Sequence, residues 1–186
     1  LAHWIWGGGW LATMGALGTD QALLELDRHR GATEPDLRRA CRPFGENCGF
    51  TIAEGAQFVV LLDDALALEL GAVIHGAVTD VQVHADGYKK SISSPGVGNY
   101  ITFAKAVARA MRDIGTESIR LRSFVQAHGT GTPQNRTTES KIVNGVARAF
   151  GIEDWPVAAI KCFVGHTMAA AGGDQLASTL GVFKYG

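Results

Sequence analysis

Two histidines stand where an apolar run gives way to glycine. His128 follows FVQA and opens GTGTP, and His166 follows VAAIKCF and precedes a stretch rich in glycine and alanine. Imidazole is the side chain whose protonation responds to its surroundings near neutral pH. Lys161 lies five residues before His166. A cation close to two imidazoles disfavours their protonation and leaves neutral rings that donate N–H hydrogen bonds. Neutral donors aimed at one point suit an enolate or an oxyanion, and each such donor is worth about 3 kcal/mol of transition-state stabilisation. The same residues also fit a plainer reading, with HGTGT a turn, KCFVGH the lead into a helix, and each histidine a hydrogen-bonded structural residue. His3, His29, His75 and His84 take that plainer reading.

For the two histidines to meet across 38 residues, the elements around them must converge. The spacing predicts a helix over 20–30, a polar turn over 41–50, a buried strand in FVVLL (58–62) and a short helix over 63–70 that stops at Gly71. The valine-rich alternation of 72–86 predicts a second strand, and the glycine, serine and proline of 86–99 a loop. Tyr100, Phe103, Ala104, Val107, Ala108 and Met111 share one helical face, with Asn99 as its N-cap. SIRLRSFVQA predicts a strand leading to His128. Ile142, Val143, Val146, Ala147 and Phe150 form the apolar stripe of another helix. WPVAAIKCF reads as a strand leading to His166, and residues 165–185 as a small-residue helix. Alternating strands and helices imply an α/β layered fold, and adjacent strands in such a sheet bring their ends to one edge, where ligands bind.

The chain has 186 residues, 46% hydrophobic and 19% charged, with a net charge of −1. That composition describes a folded globular chain and not a disordered one. The balanced charge gives no basic surface for a nucleic acid, and no apolar run of membrane-spanning length occurs. Cys41, Cys48 and Cys162 are odd in number and lack metal-binding spacing, so neither a disulfide framework nor a metal site is expected, and a reducing, cytoplasmic setting is.

AHGTGTP with Glu139 eleven residues after its histidine, then KCFVGHTMAAAGG with lysine and histidine five apart, resembles the β-ketoacyl synthases. These are the decarboxylating condensing enzymes of fatty acid and polyketide synthesis. CRPFGENCGFTIAEGAQFVVLLDDALALELGA is similar to a further segment of that family, so three motifs in order cover most of the chain. The forms HGTGTPQNRTTES and GHTMAAAGGDQLASTLGVFKYG resemble a bacterial subgroup that starts fatty acid synthesis from acetyl-coenzyme A. The resemblance implies a thiolase-like layered α/β fold built on mixed five-stranded sheets, of which residues 1–186 would be an incomplete part. It implies that His128 and His166 hold a malonyl thioester carbonyl and stabilise its enolate, that Lys161 orders the site, and that Glu139 supports it from behind. Thr130, Thr132 and, further along the tunnel, Ser94 would bind a phosphopantetheine arm. No resident cofactor is implied, because substrates arrive on acyl carrier protein or coenzyme A. The partners implied are acyl carrier protein, malonyl and acyl thioesters, and a second copy in a homodimer.

The family's nucleophilic cysteine sits at a turn between a strand and a buried helix, ahead of the motifs present here. Cys41 in the Arg-Pro-Phe turn, Cys48 in a polar loop and Cys162 beside the lysine do not match it. That region and the closing strands are therefore expected outside residues 1–186, with a longer stretch expected between Trp10 and Leu11. Two other readings stand beside the synthase. One is a non-catalytic, chain-length-determining partner subunit, which often loses the histidines that this chain keeps. The other is a thiolase-fold enzyme that does not decarboxylate malonyl groups.

Overall fold

The computed structural model describes residues 9–88, 94 and 96–186. The opening glycine run, His3 and much of the 86–99 loop fall largely outside that range. Helix α1 (Asp20–Asp27) is capped by the Thr19 hydroxyl, and a 3-10 turn, Arg28–Arg30, completes the expected 20–30 segment. Helix α2 (Asp64–Glu69) is capped by Asp63 and ends before Gly71, as the sequence predicts.

Helix α3 (Val97–Ile114) begins earlier than expected. Asn99 is inside its first turn, where its N–H and side-chain amide both donate to the Asp86 carboxylate. A remote carboxylate thus serves the exposed N–H groups that a local cap would otherwise satisfy, and the negative charge suits the helix N-terminus. Helix α4 (Thr116–Arg122) replaces the first half of the strand expected in SIRLRSFVQA. Glu117 in its first turn and Arg120 and Arg122 in its last match the helix dipole, and the helix buries Ile119. The extended part shrinks to β1 (Val125–Gln126).

Helix α5 (Pro133–Phe150) has Thr132 as N-cap, proline in its first turn and Gly151 as a left-handed C-cap. Strand β2 (Val157–Ala158) pairs parallel with β1, Val125 opposite Val157 and Gln126 opposite Ala158. The remainder of the expected WPVAAIKCF strand becomes a helical turn, α6 (Lys161–Val164). A 3-10 turn, Met168–Ala170, precedes α7 (Ala171–Tyr185), so His166 stands in the connection ahead of the helix and not at its opening.

The predicted strands 58–62 and 72–86 pair with nothing among the described residues. Phe58 is 97%, Val60 82% and Val83 84% exposed. A strand needs a neighbouring ladder for its backbone groups, and the described residues offer these two segments none. The two-stranded sheet and two isolated bridges, Leu17 with Phe50 and Ile52 with His166, are all the sheet pairing among them. None of the helices they form is long and apolar enough to cross a membrane.

The core lies between α3, α4 and α5. Val107, Ile119, Val146, Ala147 and Ile152 are buried together, with Phe103, Ala104, Met111, Phe150 and Trp155 packed around them. Phe103 stacks on Trp155 at 5.3 Å between ring centroids, and the Trp155 N–H donates to Ser123 at 2.8 Å. Most of the predicted apolar stripes of α3 and α5 therefore do meet. This layer fixes the ends of β1 and β2, from which the two histidine loops depart. Ile152→Ala empties a buried site at the junction of α5 and β2; chemical denaturation should show a loss of about 2–4 kcal/mol.

Candidate active site

Parallel pairing sends β1 and β2 out of the sheet in the same direction. His128 comes two residues after β1 and Lys161 three residues after β2. Ala127, buried at the exit of β1, donates its N–H to the Ala158 carbonyl at 2.8 Å. Gln175 of α7 donates its side-chain amide to the Ala127 carbonyl, tying the exit to the helix below.

The loop that follows folds tightly. Gly129 has φ +52°, and a Cβ there would sit 2.8 Å from that of Ala159 and 3.2 Å from that of Pro43, so only glycine fits. The polar 41–50 turn is the wall it presses against. Gly49 N–H donates to the Gly131 carbonyl at 3.2 Å and Arg136 to the Gly45 carbonyl at 2.9 Å. The Arg42 guanidinium grips the buried Asp27 carboxylate with both Nη atoms, fastening that turn to α1.

The backbone of His128 is held at both ends. Glu139, in the second turn of α5, accepts the His128 N–H at 2.6 Å and the Gly129 N–H at 2.8 Å, and also the Asn135 amide at 2.8 Å. From the other side, Lys161 Nζ donates to the His128 carbonyl at 2.6 Å. Lys161 is only 1% exposed. Burial lowers its pKa from the usual lysine value, opposed by the carboxylates of Glu139 and Asp174.

His166 is delivered by the second connection. Gly165 has φ +74° and passes so close to Ala53 that a Cβ would lie 2.9 Å from that residue's own. Thr51 O accepts the His166 N–H at 2.7 Å, and Ala53 N–H donates to the His166 carbonyl at 3.0 Å. Phe50 packs against the imidazole at 5.1 Å between centroids. Met168 takes the left-handed conformation, φ 56°, which is uncommon outside glycine, and its N–H points at His166 Nδ1 at 3.1 Å. A ring that accepts at Nδ1 carries its proton on Nε2 when neutral. The tautomer follows from that hydrogen bond.

The two rings meet edge to face, their centroids 5.5 Å apart. Burial and then the Lys161 charge push both imidazoles down from the ordinary histidine range, with His166 lowered to about 4 and Glu139 partly opposing the shift at His128. His128 keeps a side open to solvent, and the protein around it still removes enough water to disfavour the charged form. Both rings are therefore uncharged at neutral pH. The arrangement can offer N–H donors to an oxygen that becomes negative.

Of the expected site residues, His128, Lys161, His166 and Glu139 are brought together. Thr130 is buried, its hydroxyl 3.1 Å from that of Thr132, and Thr132 also caps α5. Ser94 is half-buried just ahead of α3. Glu139 hydrogen-bonds the His128 backbone and not a ring. Spacing along the chain did not point to Asn135, Gln175, Phe50, the Met168 N–H or the Arg42–Asp27 pair. Gln175, Phe50 and Met168 act through packing or a main-chain group, and Arg42 and Asp27 pair across fifteen residues of chain, so none of these leaves a periodic trace; only the Asn135 to Glu139 interval, one helical turn, was there to be read. The three cysteines are free thiols, and burial raises the pKa of each, Cys41 to about 11, so all three are protonated and poorly nucleophilic near pH 7. No group of three metal-ligating side chains occurs among the described residues.

Residues 75–186 match the beta-ketoacyl synthase C-terminal domain, and the chain belongs to the β-ketoacyl synthase family. It is 60% identical over 175 residues to the beta-ketoacyl-[acyl-carrier-protein] synthase FabY of Pseudomonas aeruginosa, an alignment that covers 94% of this chain and 27% of that protein. The crystal structure of the P. aeruginosa ketosynthase FabY superposes with a TM-score of 0.89 at 59% identity, over 96% of this chain and 27% of that one. An oxazolomycin ketosynthase domain of Streptomyces albus JA3453 gives a TM-score of 0.72 at 26% identity, over 95% and 27%. The fold is thus the thiolase-like α/β fold of ketosynthases, and the chain spans 27% of the length of these relatives.

Lys161→Gln keeps a donor for the His128 carbonyl and removes the charge. Histidine titration by NMR should then show the His166 midpoint move upward from about 4. The rise should stop short of the ordinary value, because burial, the larger cause, remains.

Proposed function

We propose that this chain supplies the enolate-forming part of a decarboxylating β-ketoacyl synthase, an acyltransferase that condenses an acyl thioester with malonyl-acyl carrier protein in fatty acid synthesis. The observation that carries this reading is the edge-to-face pair of uncharged imidazoles 5.5 Å apart. The 60% identity to a beta-ketoacyl-[acyl-carrier-protein] synthase supports it independently.

The chemistry follows from the donors. The malonyl thioester carbonyl oxygen sits against the Nε2–H of His166 and an N–H of His128. The bond from the malonyl α-carbon to the free carboxylate breaks, carbon dioxide leaves, and the electron pair passes through the α-carbon to the carbonyl oxygen. Two neutral donors stabilise that oxygen as its charge grows, and are too weakly acidic to hand it their protons. The enolate carbon then attacks the acyl group on a cysteine thioester outside the described residues, and the cysteine thiolate departs as the β-ketoacyl product forms.

In this scheme Lys161 and Glu139 hold His128 by its backbone, and Lys161 keeps both rings neutral. Thr130, Thr132 and Ser94 line the path of the phosphopantetheine arm, whose approach the glycines of 129–131 permit. The substrates arrive on acyl carrier protein or coenzyme A, with no resident cofactor, in a cytoplasmic homodimer. Retention of both histidines and the lysine favours this over a non-catalytic partner subunit. In the intact protein, His128→Ala and His166→Ala should each slow malonyl-acyl carrier protein decarboxylation by about 100-fold or more, followed as carbon dioxide release. Wild-type rates in both variants would overturn the assigned roles.

A further inference from the structure

The turn that carries His166 is fastened on its outer side. Thr167 is buried, and its hydroxyl donates to one oxygen of Asp174 in the first turn of α7. The other oxygen of Asp174 accepts the side-chain amide of Gln57. Gln57 belongs to the extended segment whose earlier residues, Thr51 and Ala53, bracket His166 through its backbone N–H and carbonyl. The fit around this carboxylate is close. Gln57 lies against Gly173, where a Cβ would fall 2.4 Å from the amide oxygen, and a Cβ on Gly55 would fall 3.1 Å from the Thr167 methyl group.

Asp174 therefore joins three things that must agree for His166 to be aimed: the segment that pairs with its backbone, the residue that follows it, and the helix below. Thr167 lies between His166 and Met168, whose left-handed backbone turns an N–H onto His166 Nδ1. Such a conformation persists only where its surroundings over-determine it.

We propose that Asp174 is a positioning residue for His166: its carboxylate clasps Thr167 to Gln57 and thereby holds the turn that fixes the direction and tautomer of the imidazole. The functional consequence rests on the reading of His166 as an enolate donor, while the geometric one does not. The clasp acts through shape and hydrogen bonding. A carboxamide at residue 174 keeps an acceptor oxygen, and both the Thr167 hydroxyl and the Gln57 amide can turn to accept from its NH2 group. The charge that Asp174 places near Lys161 is lost in that variant, which separates the two effects.

The test uses the intact protein as wild type, Asp174→Ala and Asp174→Asn, with 15N-labelled histidine. The wild type should show His166 with a bare Nδ1 and a protonated Nε2. Asp174→Ala should lose that single tautomer and lower kcat for malonyl-acyl carrier protein decarboxylation by roughly 10- to 100-fold, with little change in KM. Asp174→Asn should restore both, and its full fold controls for a general packing defect in the alanine variant. An alanine variant that keeps the wild-type His166 tautomer overturns the clasp, as does an asparagine variant no better than alanine. If the wild type itself fails to decarboxylate, the proposed function falls, and the tautomer comparison still decides the clasp.

Discussion

A single histidine main chain, gripped at both of its polar ends, is the constraint on which the rest of this site depends. The N–H of His128 goes to Glu139 and its carbonyl to Lys161, a carboxylate and an ammonium on opposite sides of one residue. Charge-assisted hydrogen bonds of this kind are stronger than neutral ones. The grip fixes the backbone from which the imidazole projects and makes no contact with the ring nitrogens. It also explains why a lysine only 1% exposed is tolerated: its ammonium has a short acceptor and two carboxylates within electrostatic reach.

Everything else brings partners to that point. The three-helix core sets the parallel β1–β2 pair, and the pair sends both functional connections to one edge. The 41–50 turn, pinned to α1 through Arg42 and Asp27, backs the Gly129 bend. The Ile52–His166 bridge and Phe50 bring the second ring alongside. The two histidines are held by different means, one by charged side chains on its backbone and the other by strand-like pairing and a left-handed residue. Their low pKa values follow from the same enclosure.

Much of this was legible in the residues. The stripes of α3 and α5 are long enough for their period to stand clear, and Thr132–Pro133 and Gly151 mark the ends of α5. The positions of the two histidines and Lys161 at strand ends pointed to a meeting of these groups, while Glu139 came from the family resemblance alone. What was not legible has a physical cause in each instance. SIRLR carries no decisive period over so few residues, and burying Ile119 against the core decides for helix. FVVLL and the valines of 72–86 have strand composition, but composition does not supply a ladder partner. Asn99 is a good capping type, yet Asp86, thirteen residues earlier, accepts the Asn99 N–H itself, and the helix starts ahead of it. The expected strand before Lys161 shortens to two residues because the chain enters a helical turn at Lys161.

The parallel register of β1 and β2 has a consequence for how such a chain can change length. Lys161 and His128 are each fixed to a strand exit by two or three residues of closely packed backbone, with no slack to absorb an insertion. The exposed residues Glu153 and Asp154 lie between α5 and the start of β2, at the other end of the strands, where extra residues loop outward without shifting either exit. Length variation among homologous proteins is therefore compatible with this geometry at the α5–β2 connection and incompatible with it in the segments that run from each strand to its histidine.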